Sequence, residues 1–520
     1  VVKGQPLWIV QGVNGAHENA TQPASQPHPG IQEVNERHAV THDDARPEAV
    51  AKRHGQNRRT ARENLADLIV PGTFVEYGAL AIAAQRKRRS LEELIAKTPA
   101  DGLVGGIGQV KTTSGPVSAV IMSYEYMVLA GTQGARNHAK TDRLLELAHR
   151  KKLPVVFFVE GGGGRPGDTD IAPGTQLNVS TFAALARLRG VVPLIAVAAG
   201  RTFAGNAALA GVCDIIIAHE DANIGMGGPQ MIAGGGLGTF DVSEVGPTAV
   251  HRRSGAVDIV VPDDQAAVKT VQEVLGLSQH VTEYEHTGEP QNTVPADRLR
   301  AFDMRDVITS VADDGTFLEL RTDYASGAIV GFMRVHGHSF GFIANNNHHL
   351  GGAIDVDAAR SFTQHIACVE NLGLPLISFV DTPGFIVGPE AEKEPGMRAF
   401  GDLFVAGAHF TGSTGAVIIR KAYGLGAMAM TMGYLHATDF CIAWPAGEMG
   451  PMGLEGAVRL GYAKELAQVE GEEREELYSR LLDELYAQGR ALSAAEVFDI
   501  DDVIDPVHTR EWIASLITPQ

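Results

Sequence analysis

Cysteine is scarce in this sequence: Cys213, Cys368 and Cys441 are the only three, and they stand far apart. That count excludes a disulfide framework and any four-cysteine zinc site, and it suits a reducing compartment such as the cytoplasm. Long apolar runs are missing as well. Hydrophobic residues make up 44% of the chain, enough for packed cores, but no unbroken run is long enough to cross a bilayer, so no membrane partner is expected. Positive charge is the minority sign, with 43 basic against 62 acidic residues and a formal charge of -19. A phosphate-tracking nucleic-acid binder needs the opposite balance. Any anionic ligand must therefore find a local basic patch or backbone amides. No charged segment followed by an apolar one and a cleavage site opens the chain, so nothing calls for secretion. Familiar catalytic patterns are absent too: there is no G-x-S-x-G, no H-E-x-x-H and no convincing Ser/His/Asp set, and no metal is expected.

What is present is a concealed repeat in a chain of 520 residues, a length that suits two large domains plus a tail. Leu129-Ala130-Gly131 precedes Leu350-Gly351-Gly352 by 221 residues, and the strand Leu153 to Glu160 precedes Leu374 to Asp381 by the same interval. Gly205 and Gly426 keep that spacing. Cys213-Asp214-Ile215 then matches Thr438-Asp439-Phe440, and Ile224-Gly225-Met226 matches Met449-Gly450-Pro451, at an interval of 225. A four-residue insertion accounts for the change. Apolar strand-like runs alternate with helical patterns in each copy, for example Val117 to Ser123, a helix from about Gln133 to Arg150, and Pro193 to Ala199. Short continuous apolar runs suit strands buried on both faces, and the alternation implies a duplicated α/β unit with right-handed crossovers.

Each copy places two glycine-rich turns after apolar strands. In the first they are Glu160 to Asp168 (EGGGGRPGD) and Gly200 to Asn206; in the second, Asp381-Thr382-Pro383-Gly384-Phe385 and Lys421 to Ala427. Glycines where a strand feeds a helix permit positive φ and close ligand approach, and free amides at the helix start offer donors to an anion. Two such turns can aim two amides at one oxygen, which is an oxyanion hole. A nucleotide-phosphate loop is the rival reading, but the stretch after Val159 lacks a Gly-Lys-Ser/Thr ending. His348 and His349 either polarise a ligand or serve local structure. Met428 and Met430 suit packing on a buried helix face or an apolar wall for an aliphatic chain. The basic run Arg86-Lys87-Arg88-Arg89 suits a solvated helix face or contact with the phosphates of a ligand.

At these motifs the sequence resembles the carboxyltransferase family of the biotin-dependent acyl-CoA carboxylases, over about residues 58 to 515. The resemblance is carried by Val330-Gly331-Phe332 through Ala344-Asn345-Asn346, Leu350 to Asp355, Phe379 to Phe385, Arg420-Lys421-Ala422-Tyr423-Gly424, Ala443-Trp444-Pro445 and Met452 to Ala457. It implies two tandem crotonase-like ββα superhelix domains, here 58–290 on the acyl-CoA side and 291–520 on the biotin side, in a homodimer or homohexamer. In that family carboxyl passes from carboxybiotin to the α carbon of an acyl-CoA. The resemblance puts Gly162, Gly163, Gly164, Gly205 and Asn206 at the thioester and Gly384, Phe385, Leu425 and Gly426 at biotin, lined by Tyr423, Gly424, Ala427, His348 and His349. Arg165, Met428, Arg86 and Arg89 are the expected further substrate contacts. The resemblance further implies that the biotin ring nitrogen takes the α-proton, so that no protein base is required, and that the first unit of one subunit faces the second unit of the other.

Two departures bear on the acyl group. Many family members have Ser-Gly-Gly-Ala-Arg where this chain has Gly161-Gly162-Gly163-Gly164-Arg165, and Tyr-Gly-Gly-Ala where it has Tyr423-Gly424-Leu425-Gly426. The forms found here are similar to those of single-chain multidomain long-chain acyl-CoA carboxylases. Val2 to Val10 resembles the last strand of a biotinyl carrier domain (residues 1–10), and the polar stretch 11–57 suits a flexible tether. A chain beginning in mid-strand also suggests a cut from something larger. No Met-Lys-Met attachment site is present, so biotin is expected upstream or on another chain, with ATP and Mg used only at a separate biotin carboxylase domain. The alternatives are another crotonase-fold acyl-CoA enzyme and a non-catalytic scaffold subunit.

Overall fold

Two sheets of the same construction follow from the repeat. The computed structural model describes residues 28 to 517 apart from 29, 172–176 and 299, so the strand expected at 1–10 and the tether as far as residue 27 lie outside the described residues. The first half contains β1 (Val75–Glu76), β2 (Leu103–Val110), β3 (Val117–Tyr124), β4 (Val155–Phe158), β5 (Leu194–Ala198), β6 (Arg201–Phe203), β7 (Ile215–His219), β8 (Asn223–Gly225) and β9 (Ile259–Val261). Its main sheet runs β1-β2-β3-β4-β5-β7-β9, and β6 pairs with β8. The second half contains β10 (Leu318–Leu320), β11 (Ala328–Val335), β12 (His338–Asn345), β13 (Leu376–Thr382), β14 (Thr414–Tyr423), β15 (Phe440–Ala443), β16 (Glu448–Gly450) and β17 (Asp502–Val503). Its sheet runs β10-β11-β12-β13-β14-β15-β17, with β16 beside the far end of β14. In both halves an antiparallel hairpin leads into parallel strands.

Each hairpin passes through a left-handed turn into a 17-residue helix, Ala135–Lys151 and Val356–Leu372. Leu129, Ala130 and Gly131 have φ of 50°, 54° and 62°; Leu350, Gly351 and Gly352 have 49°, 63° and 91°. The helices bury Leu144, Leu145 and Ala148 in one copy and Phe362, Ile366 and Val369 in the other, the spacing of a single apolar stripe. β4 and β5 are buried along their whole length, which their unbroken apolar sequence requires. One core runs through both halves, with Val104, Ile121 and Val156 in the same cluster as Val330, Ile343 and Phe362. The three cysteines are buried in this framework, and burial pushes all three thiols up, Cys441 to about 12. Among the described residues no helix is long and apolar enough to cross a membrane.

The flexible tether expected as far as residue 57 needs correction. Helices form at Gly30–Ala39 and Pro47–His54, and a capping box between Thr60 and Glu63 starts the next at Ala61–Leu68. Arg53 was hidden from pattern reading because its partner lies far away in sequence. It enters the first half and meets Glu160 with two guanidinium nitrogens, one at 3.0 Å, the two side chains being 7% and 9% exposed. Leaving one member of such a pair alone in the interior costs about 3–5 kcal/mol. Arg53→Met is therefore expected to lower the unfolding free energy by about that amount, and Arg53→Met with Glu160→Gln by less. Urea titration checks this; equal losses in the single and double variants would deny the coupling.

Candidate active site

The turn after β4 is closed by bonds that use up most of its amides. Gly161 N–H donates to Arg201 O at 2.7 Å, Gly162 N–H to Ala130 O at 3.0 Å, and Arg165 N–H to Gln133 O at 2.8 Å. Gly163 N–H donates to Asn206 Oδ1 at 2.9 Å. Gly164 N–H alone in this run has no partner among the described residues. The neighbouring turn delivers the start of the helix Gly205–Val212, whose first N–H groups, those of Gly205 and Asn206, have no intrahelical acceptor. The two turns touch: a Cβ on Gly163, at φ 86°, would lie 2.7 Å from Ala204 Cβ, and a Cβ on Gly205 would lie 2.0 Å from Gln133 Oε1. Gly164 faces open space and lines a cavity of about 850 Å³.

The second half repeats the corner with different partners. Gly384 N–H donates to Thr382 Oγ1 at 3.1 Å, and Ile386 N–H to Ile354 O at 3.0 Å. Phe385 N–H, the counterpart of Gly164 N–H, has no partner among the described residues. Gly426, the counterpart of Gly205, sits in the first turn of the helix Gly424–Met430. A Cβ there would lie 2.7 Å from Gly384 Cα and 3.0 Å from Phe385 N, so only glycine lets the backbones meet. Gly424, Leu425, Ala427 and Met428 line a cavity of about 990 Å³ beside this corner. Leu425 is 60% and Met428 38% exposed, whereas Met430 is in the core. No lining residue is shared between the two cavities.

Other expected residues fall elsewhere. Gly162 and Gly163 shape the first corner, but their amides are already spent, which removes them as donors. Arg165 is buried, with Asp101 Oδ1 at 2.5 Å and Thr132 O at 2.8 Å, so its charge holds the turn and is not free for a ligand. Burial raises Asp101, and Arg165 works against that shift. His349 Nε2 lies 2.9 Å from Asp355 Oδ2, while Asp355 caps the helix Val356–Leu372 through Ala358 N at 2.8 Å. His348 is exposed, and neither histidine lines either cavity. Arg86 is exposed on a turn that was expected to be helical, and Arg89 pairs with Glu93 at 2.8 Å. Tyr423 is buried under its cavity, and burial next to Glu448 pushes its phenol up. Among the described residues no group of three or more His, Cys, Asp or Glu could hold a metal ion.

Acid neutralisation differs between the copies. Asp381, the counterpart of Glu160, is fully buried and held by Asn347 Nδ2 at 3.1 Å, Arg420 Nη2 at 3.2 Å and Lys421 N at 3.0 Å, all within its own half. Glu160 instead takes Arg53 from the preceding helix. Sequence reading also passed over His138, which lines the first cavity one turn into the helix Ala135–Lys151.

The carboxyl transferase domain family matches residues 52–517. The chain is similar to the methylmalonyl-CoA carboxyltransferase 12S subunit of Propionibacterium freudenreichii subsp. shermanii, 31% identical over 522 residues and 96% of each chain. It is 28% identical over 511 residues to the biotin-dependent long chain acyl-coenzyme A carboxylase beta4 subunit of Mycobacterium tuberculosis, covering 92% of each. Among solved structures, a single-chain, multi-domain long-chain acyl-CoA carboxylase superposes with a TM-score of 0.88 at 55% identity, over 94% of this chain. This chain spans about half of that one, 49%. A chain of the transcarboxylase 12S structure, which describes a hexamer assembly, superposes with a TM-score of 0.82 at 28% identity, over 96% of each chain.

Proposed function

This chain belongs to the carboxyl transferase domain family, and from that premise we propose that it is the carboxyltransferase component of a biotin-dependent acyl-CoA carboxylase. It moves a carboxyl group from carboxybiotin to the α carbon of an acyl-CoA, with one crotonase-like half serving each reactant. The support is the family match together with the 12S and long-chain carboxylase relatives. The observation that carries the division of labour is the pair of equivalent unpaired amides, Gly164 and Phe385, each beside a helix start.

In this reading Gly164 and Gly205 N–H hold the thioester oxygen as it becomes negative. Phe385 and Gly426 N–H hold the urea oxygen. Each fixed donor is worth about 3–4 kcal/mol where charge develops away from water. The cavity beside this corner would take the biotin ring system, with Gly424 and Gly450 leaving room and Leu425, Ala427, Met428 and Met449 offering apolar walls. When bound, biotin supplies the transferable carboxyl group and the ring nitrogen that takes the substrate proton. The protein's part is to place the two oxygens and keep water away, which accounts for the lack of an acid/base set. In this reading the first half of one subunit works against the second half of its partner, an arrangement compatible with two cavities that share no lining residue within one chain. Biotin carboxylation and the carrier belong to other domains or chains, and the likeness to the long-chain enzyme favours longer acyl groups.

The test is transfer of labelled carboxyl with free biotin as carrier and acyl-CoAs from acetyl to long chain. Transfer to at least one thioester, rising with chain length, is expected. An intact oligomer that carboxylates none of them would defeat the assignment.

A further inference from the structure

The helix Ala135–Lys151 turns two polar side chains toward the first cavity, His138 and Asp142, and hydrogen bonding fixes which nitrogen of the histidine carries the proton. Thr181 Oγ1 donates its only hydrogen to Asp142 Oδ1 at 2.5 Å, and Ser180 Oγ donates to Asp142 Oδ2 at 2.5 Å. His138 Nδ1 lies 2.9 Å from Thr181 Oγ1. With its hydrogen already given away, the threonine oxygen can only accept, so Nδ1 must be the protonated nitrogen. Nε2 then carries a lone pair. It has no hydrogen-bond partner among the described residues, nor is it among their buried unpaired atoms, so it stays open to the cavity that Gly164 also lines.

A neutral imidazole presenting a lone pair selects its partner. Phosphate and carboxylate oxygens would meet it with lone pairs of their own. The nearby carboxylates Asp142 and Asp168 oppose an anion as well, and Arg165, the cation in reach, is taken by Asp101. A neutral N–H or O–H donor fits, and amide N–H groups are neutral donors carried along the arm of an acyl-CoA. We propose that His138 is a substrate-contact residue, its Nε2 accepting a hydrogen bond from an amide N–H on the arm of the thioester substrate. This rests on the reading of the Gly164 corner as the thioester site. The relay Asp142, Thr181, His138 holds the acceptor tautomer in place. Burial lowers His138, Arg165 lowers it further, and Asp142 and Asp168 work the other way. The acceptor is therefore intact at neutral pH and lost only on the acid side of the ordinary histidine range, 6.5.

The experiment compares wild type, His138→Leu and His138→Gln on an acyl-CoA and on a simple alkyl thioester that lacks the amide arm, with binding of free CoA measured by calorimetry. In His138→Leu the KM for acyl-CoA should rise roughly five- to tenfold, the size of one neutral hydrogen bond, with kcat and the KM for biotin unchanged. His138→Gln keeps an acceptor and should recover most of the loss. The amide-free thioester should not distinguish the three proteins. In wild type kcat/KM for acyl-CoA should fall at acid pH, and in His138→Gln that fall should vanish. Unchanged KM and CoA affinity in His138→Leu, or equal losses on both thioesters, would overturn the proposal. Absence of transfer in wild type would instead strike the functional reading, and CoA calorimetry would still judge His138.

Discussion

Gly164→Pro should reduce carboxyl transfer by about 10²–10³-fold, the loss associated with deleting one oxyanion donor. Proline removes the one N–H of the first turn that has no protein acceptor, so nothing but the transition state loses a hydrogen bond. Gly164→Ala is the control. A Cβ there meets nothing within 4 Å, and the amide is kept, so activity should stay near wild type. At Gly163 the outcome reverses, since φ is 86° and a Cβ would press on Ala204; alanine should harm the corner although its amide never faces the ligand. Unfolding curves and oligomer mass separate chemistry from collapse. Full activity in a folded Gly164→Pro protein would move the donor elsewhere.

Gly426→Ala should be as damaging on the other side. Its methyl group would overlap Gly384 Cα at 2.7 Å and crowd Phe385 N at 3.0 Å, so the second corner must open and its two donors separate. A loss of at least about 100-fold is expected if both amides serve one oxygen, with acyl-CoA affinity untouched. The two defects also lie on separate cavities. If each site joins the first half of one subunit to the second half of its partner, as proposed, co-expressing Gly164→Pro with Gly426→Ala chains should return roughly a quarter of wild-type activity, because half the dimers would be mixed and each mixed dimer would have one site built from two unmodified corners. No recovery in demonstrably mixed dimers would place both corners of a site in one chain.

The duplicated architecture was legible because its signals are local: apolar runs, glycine turns and their common spacing. The strands at Leu153 and Leu374 and the turns at Gly205 and Gly426 fall where the repeat puts them. Which amide of a turn is left over was not legible, since that depends on acceptors brought in by the fold. Gly162 is spent on Ala130 and Gly163 on the side chain of Asn206, 43 residues away. Arg165 looked like a ligand contact for the same reason; the acid that takes its charge, Asp101, lies 64 residues earlier. Arg53 sat in a stretch without periodicity, and only its burial against Glu160 gives it a role. His138 had no motif at all, because the hydroxyl that sets its tautomer comes from another helix.

All three native thiols are enclosed and held in their protonated form, so alkylating probes have no ready target on the folded molecule. A single cysteine introduced on the rim of either cavity would therefore report without background. A fluorophore placed there could follow the arrival and departure of a swinging prosthetic arm in real time, with no native residue to be removed first.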